Sequence, residues 1–433
     1  MSRRSDMPGA VPSGPDGMLE FMADTSAKAA AREPKRKRDI RLDFFRGVCL
    51  FIIFIAHMFG NPWVNFIPAR FGLSDAADIF VFCSGMASAV AFASVFVKRG
   101  FLLGTARIAF RIWQVYWAHI SVFFVCAAVM LLADSWLQTG DDYTRGLAMD
   151  PFFDERARQA IVGLMTLTYV PPFFDILPMY LVILMMLPIV MGIERVAGAM
   201  AAMAAVVGTW LVASFGVLDM SREPWGDTTW YFNPFSWQLV FFTGFAFMRG
   251  WLPAPKADWR LIAIAVASVV LTMPLEWEPA RLAVPAFEQA RNALGPLIDK
   301  THVGLLRYLH FLALAYLSFI AVGEGGRYLK GPLVKLVCKV GQQSLAVFLA
   351  GLVLSFSLSV VLNLTGRDFF SVALVNLGGM ALLVATAYLV AWFKSVPWKG
   401  PASQRSMADA SRPADFNRGQ GDRAVPRRPL PAE

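Results

Sequence analysis

The feature that most constrains this chain is a succession of ten apolar runs, each close to the about 20 residues a helix needs to cross a bilayer. They fall at about 42–60, 76–97, 105–133, 174–193, 196–215, 235–251, 259–275, 304–323, 343–363 and 371–393. The stretch 160–172, ending at Pro171 and Pro172, reads as a re-entrant or interfacial helix, so nine to eleven spans is the expected range. Composition agrees: 57% of residues are hydrophobic and 16% charged, against about a quarter charged in soluble chains. Mean hydropathy is +0.52. These values exclude a soluble enzyme, a disordered scaffold and a disulfide-stapled secreted module. The expected fold is all-α, a polytopic membrane helix bundle of about ten transmembrane helices. Because the first run begins near Leu42, after a long polar stretch, it is expected to be a span and not a cleaved leader.

Topology follows from lysine and arginine, which accumulate in short cytoplasmic loops. Ten spans with an inner N-terminus place Lys35 to Arg41, Lys98 and Arg99, Arg195, Arg249 to Arg260, Arg327 to Lys339, and Lys394 and Lys399 inside. The opposite loops are acidic, with Asp134, Asp141, Asp142, Asp150, Asp219, Glu276, Glu288 and Asp299 among them. Both termini are therefore expected to be cytoplasmic. The net charge of +9 reflects this sidedness and no nucleic-acid partner. Three regions follow: a polar basic cytoplasmic tail over 1–41, a transmembrane domain over 42–394, and a disordered cytoplasmic tail over 395–433 that has too few large apolar residues to bury a core.

Ionisable groups inside spans are expensive and so mark candidate sites. Span one carries Asp43, Arg46 and His57. Arg46 and His57 are eleven residues apart, about 1100° around a helix and about 20° from three full turns, which puts them on one face about 16 Å apart. Span two opens with Asp75 and Asp78 one turn apart. Either is placed to orient the His57 imidazole and raise its basicity; the competing role, strongest for Asp75, is an N-terminal cap. Span three begins with Arg107 and Arg111, with Gln114 on the same face. Together with Arg46 they suit a polyanion such as the phosphates of a nucleotide-bearing donor, or they are snorkelling anchors.

Later spans add Arg307 and His310, one turn apart in LLRYLHFLALAYL, placed to meet a hydroxyl or carboxylate ligand. YFNPFSWQ brings Asn233, Trp237 and Gln238 to the mouth of span six, either as a sugar platform or as ordinary belt residues. Cys49, Cys83, Cys126 and Cys338 lie in or beside apolar stretches without metal-ligand spacing, so they read as small buried hydrophobes, and no metal is expected. No phosphate-binding or dinucleotide fingerprint is present, so no permanently bound cofactor is expected.

The run RDIRLDFFRGVCLFIIFIAH, with its spacing of Arg46 and His57, resembles the opening of the acyltransferase-3 family of integral-membrane acyltransferases. Ser84 and Gly85, and ARIAFRIWQVYW around Arg111, look like that family's second and third spans. SDAADIFVFCSG, LPMY, NPFSWQ, LRYLHFLALAYL and GQQSLAVFLAG resemble its OpgC group more closely, and the resemblance covers about Arg38 to Lys394. It implies a bacterial inner-membrane enzyme that takes an acyl group, here succinyl, from cytoplasmic acyl-coenzyme A and esterifies a hydroxyl of an osmoregulated periplasmic glucan. It carries over to Arg46, His57 and Arg111. Where relatives show a tighter arginine pair, this chain has Arg107 and Arg111 four apart.

The expected chemistry has His57 as general base, Asp78 or Asp75 orienting it, and Arg46, Arg107 and Arg111 holding the donor. Two alternatives use the same residues. One is a proton-coupled carrier for a sugar or anionic substrate; it is opposed by the lack of a visible inverted repeat and by charge concentrated in three consecutive spans. The other is a non-catalytic partner of a glucan synthase, in which His57 is freely replaceable.

Overall fold

The structure, a computed structural model, describes residues 39–137 and 142–398. The basic cluster from Lys35 to Arg38, Asp141, Lys399 and the C-terminal tail lie outside the described residues. Described residues form helices and turns, with one isolated bridge between Ser221 and Thr229.

Every apolar run of the sequence is occupied by a helix, and shorter helices lie between the runs. These are α1 (Ile40–Ala56), α2 (Ala76–Ser88), α3 (Phe101–Leu137), α4 (Ala157–Thr166), α5 (Ile176–Ala197), α6 (Ala199–Ser214), α7 (Pro234–Arg249), α8 (Trp259–Glu276), α9 (Glu278–Ala283), α10 (Pro285–Ala293), α11 (Gly295–Ile298), α12 (Leu305–Ala321), α13 (Pro332–Gln342), α14 (Ser344–Thr365) and α15 (Phe369–Lys394). Six are long and apolar enough to cross a membrane: α2 with its extension to Arg99, α3, α5, α8, α14 and α15. The helices on the other four runs, α1, α6, α7 and α12, have 16 or 17 residues. The stretch expected to be re-entrant is the short helix α4, closed by Leu167 in a left-handed conformation. Helix α3 has 37 residues, about 56 Å at 1.5 Å per residue, well beyond the about 30 Å of a hydrocarbon core.

Two reciprocal glycine contacts set the packing. A Cβ on Gly85 of α2 would lie 1.9 Å from the Phe241 carbonyl oxygen, and one on Gly244 of α7 would lie 2.2 Å from that of Phe82. Backbone meets backbone there, as small residues allow when apolar burial cannot drive helix association in lipid. The same device joins α1 to α13: Gly47 faces the Val337 carbonyl and Gly341 faces that of Asp43. Helix α7 is buried almost continuously from Pro234 to Ala246, which makes it the central helix. At the periphery, Val196 (89% exposed), Leu102 (82%) and Phe370 (80%) belong to an apolar surface too extensive for a water-facing protein.

The His57 end of α1 is tied to α14 and α15. Asn61 and Asn376, both buried, exchange amide hydrogen bonds of 2.8 and 3.0 Å. Ser355 Oγ donates to the Phe54 carbonyl at 2.9 Å, and Ser359 Oγ accepts from Phe59 N at 2.8 Å. Leaving one amide of such a buried pair unmatched costs about 1–3 kcal/mol.

The glycine contacts give a direct test. Gly244→Val is expected to lower the detergent melting temperature sharply or prevent accumulation, because the added atoms meet Phe82 backbone that cannot yield. Gly378→Ala, which meets nothing within 4 Å, should be neutral. Equal melting of both variants would contradict the contact.

Candidate functional site

His57 follows the last turn of α1, its backbone N–H donating to the Ile53 carbonyl at 3.0 Å. The ring Nδ1 bonds the same carbonyl at 2.7 Å. A carbonyl can only accept, so Nδ1 carries the proton and neutral His57 holds its lone pair on Nε2. Nε2 makes no hydrogen bond among the described residues, and the side chain is only partly buried. The Phe173 ring packs edge-on against the imidazole, centroids 5.5 Å apart. Phe173 has a φ of 69°, a left-handed conformation that costs a bulky residue energy and persists only where surroundings enforce it.

The expectation that Asp78 or Asp75 orients this imidazole is corrected: neither carboxylate bonds to it. Both are committed elsewhere. Asp75 caps α2 by accepting from Ala77 N at 2.8 Å, and Asp78 Oδ2 returns the bond by accepting from Asp75 N at 2.8 Å. The same carboxylates hold two cations. Lys300 Nζ lies 2.6 Å from Asp75 Oδ2, and Arg307 Nη2 lies 2.5 Å from Asp78 Oδ2 and 3.3 Å from Asp75 Oδ2. The sequence offered helix cap and imidazole partner as competing roles for Asp75; it caps, and it also forms an ion pair with Lys300. Burial opposes ionisation of the Asp75 carboxyl, but Lys300 and Arg307 outweigh it and hold its pKa well below the usual range. Lys300 is correspondingly raised, since Asp75 outweighs its desolvation. The Lys300–Asp75 pair lies within electrostatic reach of His57.

Arg307 and His310, expected to meet a ligand, face inward from α12 and are 5% and 2% exposed. His310 Nδ1 bonds Ser74 Oγ at 2.8 Å, and Arg307 donates to the Leu73 carbonyl. They clamp the entry to α2. Arg307 also lines a cavity of about 440 Å³ with Asp75, Lys300 and Tyr231; His310 does not.

Asn233, Trp237 and Gln238 are no open sugar platform: their exposures are 1%, 0% and 1%. The platform assumed a helix at the rim, whereas α7 is central. Asn233 caps α7 through Phe235 N and donates to Asp219 Oδ1 at 2.8 Å; Gln238 donates to the Val206 carbonyl at 2.7 Å. Trp237 Nε1 donates to the Lys300 carbonyl at 3.0 Å, and the Arg307 guanidinium lies over its ring at 5.8 Å. Asn233 and Trp237 seat the 299–303 loop, and Gln238 ties α7 to α6.

That loop holds the residues the sequence did not reveal, Lys300 and His302. In IDKTHVG nothing distinguishes them from solvated loop residues, because Asp75 and Asp219, which they also meet, are distant in sequence. His302 stands between two carboxylates, Nδ1 2.8 Å from Asp299 Oδ2 and Nε2 2.9 Å from Asp219 Oδ1. Partial burial disfavours its charge, but these bonds outweigh burial and raise its pKa.

At the other end of α1, Arg46 Nη2 donates to Ser344 Oγ, and Gln342 donates to Asp43 Oδ2 at 3.2 Å. Arg46 lies within electrostatic reach of Cys49 and of Cys83 on α2. Arg111 is partly exposed and donates to Gln114 on its own helix at 3.3 Å, and Arg107 is exposed. No hydrogen bond, ion pair or ring contact among the described residues joins Arg46 to either. All four cysteines are buried.

A family model described as OpgC protein matches residues 38–395. The chain belongs to this family. No curated protein and no solved structure matches it. The matched stretch contains every residue of both ends of α1 and the whole ionic cluster.

Two outcomes test the cluster. Arg307→Met leaves Asp78, which is 0% exposed, charged and unpaired, a loss of about 3–5 kcal/mol; adding Asp78→Asn should recover most of the lost melting temperature, and equal melting of single and double variants would contradict the pairing. For His302 the folded pKa lies above its unfolded value, so its contribution is complete below about pH 6.5 and is lost as pH rises through the raised value. Thermal melting between about pH 6 and 8 should therefore fall with rising pH in the unaltered protein, and His302→Asn should flatten that component.

Proposed function

We propose that this OpgC-type membrane protein is an O-acyltransferase of the bacterial inner membrane. It moves an acyl group, succinyl by the family resemblance, from cytoplasmic acyl-coenzyme A to a hydroxyl of a periplasmic glucan. In this reading ten helices cross the bilayer, both termini are cytoplasmic, and the His57 end of α1 faces the periplasm. The observation that carries it is the imidazole: Nδ1–H is fixed on the Ile53 carbonyl and Nε2 keeps an unengaged lone pair.

In the forward step Nε2 removes the proton of the acceptor hydroxyl as its oxygen attacks the thioester carbonyl. The tetrahedral intermediate collapses, the carbon–sulfur bond breaks, and the imidazolium returns the proton to the thiolate. Ester and free thiol leave, and His57 is neutral again. The Ile53 carbonyl takes the orienting role that a carboxylate fills elsewhere. Arg46, Arg107 and Arg111 would serve the donor's phosphates at the opposite end, which requires the thioester arm to extend between helices toward His57.

The test uses inverted membranes with glucan enclosed in their lumen and labelled succinyl-coenzyme A added outside. His57→Gln, which is close in size, should lower transfer by about 10²–10⁴-fold while the protein still accumulates and melts normally. Unchanged transfer would refute the general base. Label that crosses the membrane still attached to its donor would favour the carrier.

A further inference from the structure

The cavity beside the ionic cluster has no assigned role. Its volume, about 440 Å³, falls within the about 300–1,000 Å³ of ligand pockets. It is walled on one side by the entry to α2, at Ala69, Gly72 and Leu73, and on the other by the α10–α11 hairpin, at Asn292, Gly295 and Ile298.

Charge in this wall is balanced internally. Arg291 lies 3.5 Å from Glu276, Lys300 lies 2.6 Å from Asp75, and Arg307 is shared by Asp75 and Asp78. The remaining carboxylate, Asp299, holds His302. An anion would have to displace one of these pairs, whereas a neutral ligand with many hydroxyls can donate to the carboxylates and accept from the cations without breaking any. At the same wall Tyr231 is 47% exposed. Lys300 Nζ lies over its ring at 5.2 Å, and Phe232 packs edge-on at 5.0 Å, so the ring is held in place. A fixed, accessible aromatic ring beside paired polar groups suits the apolar face and hydroxyl edge of a pyranose. The cavity also shares Lys300 and Asp75 with the electrostatic surroundings of His57.

We infer that this cavity is a subsite for a neutral saccharide, with Tyr231 stacking on a sugar ring and Asn292 bonding its hydroxyls. The inference rests on the acyl-transfer reading only in making that saccharide the acceptor.

Direct binding separates the two. Neutral glucose oligosaccharides, and the same oligosaccharides carrying a carboxylate substituent, are titrated into the full-length protein in nanodiscs, with no acyl donor present. The neutral probe should bind, with affinity unchanged by added salt. Tyr231→Ala should weaken it by about tenfold, Tyr231→Phe should restore it, and Asn292→Ala should weaken it several-fold. In transfer assays the Tyr231→Ala acceptor KM should rise by a similar factor with the donor KM unchanged. Binding of the neutral probe that is indifferent to Tyr231, or salt-sensitive binding of the carboxylated probe alone, would overturn the subsite. Saccharide binding that needs Tyr231, in a protein that transfers no acyl group, would keep the subsite and overturn the enzyme.

Discussion

The ionic cluster of Asp75, Asp78, Lys300 and Arg307 is the constraint on which the rest of this end of the molecule depends. Asp78 and Arg307 are buried and Asp75 and Lys300 partly so, and each charge is balanced by an opposite one that faces it. Its geometry explains why two remote regions meet, the entry to α2 and the loop that leads into α12. The entry to α2 supplies both carboxylates, α12 supplies the guanidinium, and the 299–303 loop supplies the ammonium. Trp237 and Trp210 hold that loop by its carbonyls, which is why the central helix α7 invests a buried indole there.

One consequence reaches His57. With both carboxylates engaged as caps and ion-pair partners, no carboxylate among the described residues bonds the imidazole, and the Ile53 carbonyl orients it from one turn earlier. A backbone acceptor fixes the tautomer as firmly as a carboxylate but brings no negative charge to stabilise an imidazolium. The neighbouring Lys300–Asp75 pair contributes opposed fields in its place. The ring is steadied by Phe173 and by the Asn61–Asn376 bonds just beyond it.

Much of the architecture was legible in the sequence, because hydropathy at the length scale of a bilayer is a strong signal: every apolar run holds a helix, with Arg46 inside the first and His57 just after its last turn. Partnerships were not legible. Asp75 and Asp78 pointed to His57 only by depth along adjacent helices, and depth says nothing of rotation or of competing cations more than two hundred residues away. Asn233, Trp237 and Gln238 looked like rim residues because aromatic and amide groups mark both rims and centres; only the glycine-mediated approach of α7 to α2 decides which. Lys300 and His302 lacked any periodic context, so the residues that complete the cluster were the least visible.

The most direct measurement is nitrogen NMR of histidine-labelled protein in nanodiscs at neutral pH. The chain has 4 histidines, so the His57 signals are assigned by their disappearance in His57→Gln. With Nδ1–H held on the Ile53 carbonyl, the spectrum should show a protonated, pyrrole-like Nδ1 and an unprotonated, pyridine-like Nε2 that moves when acceptor binds. A proton resident on Nε2 with a bare Nδ1 would contradict that arrangement.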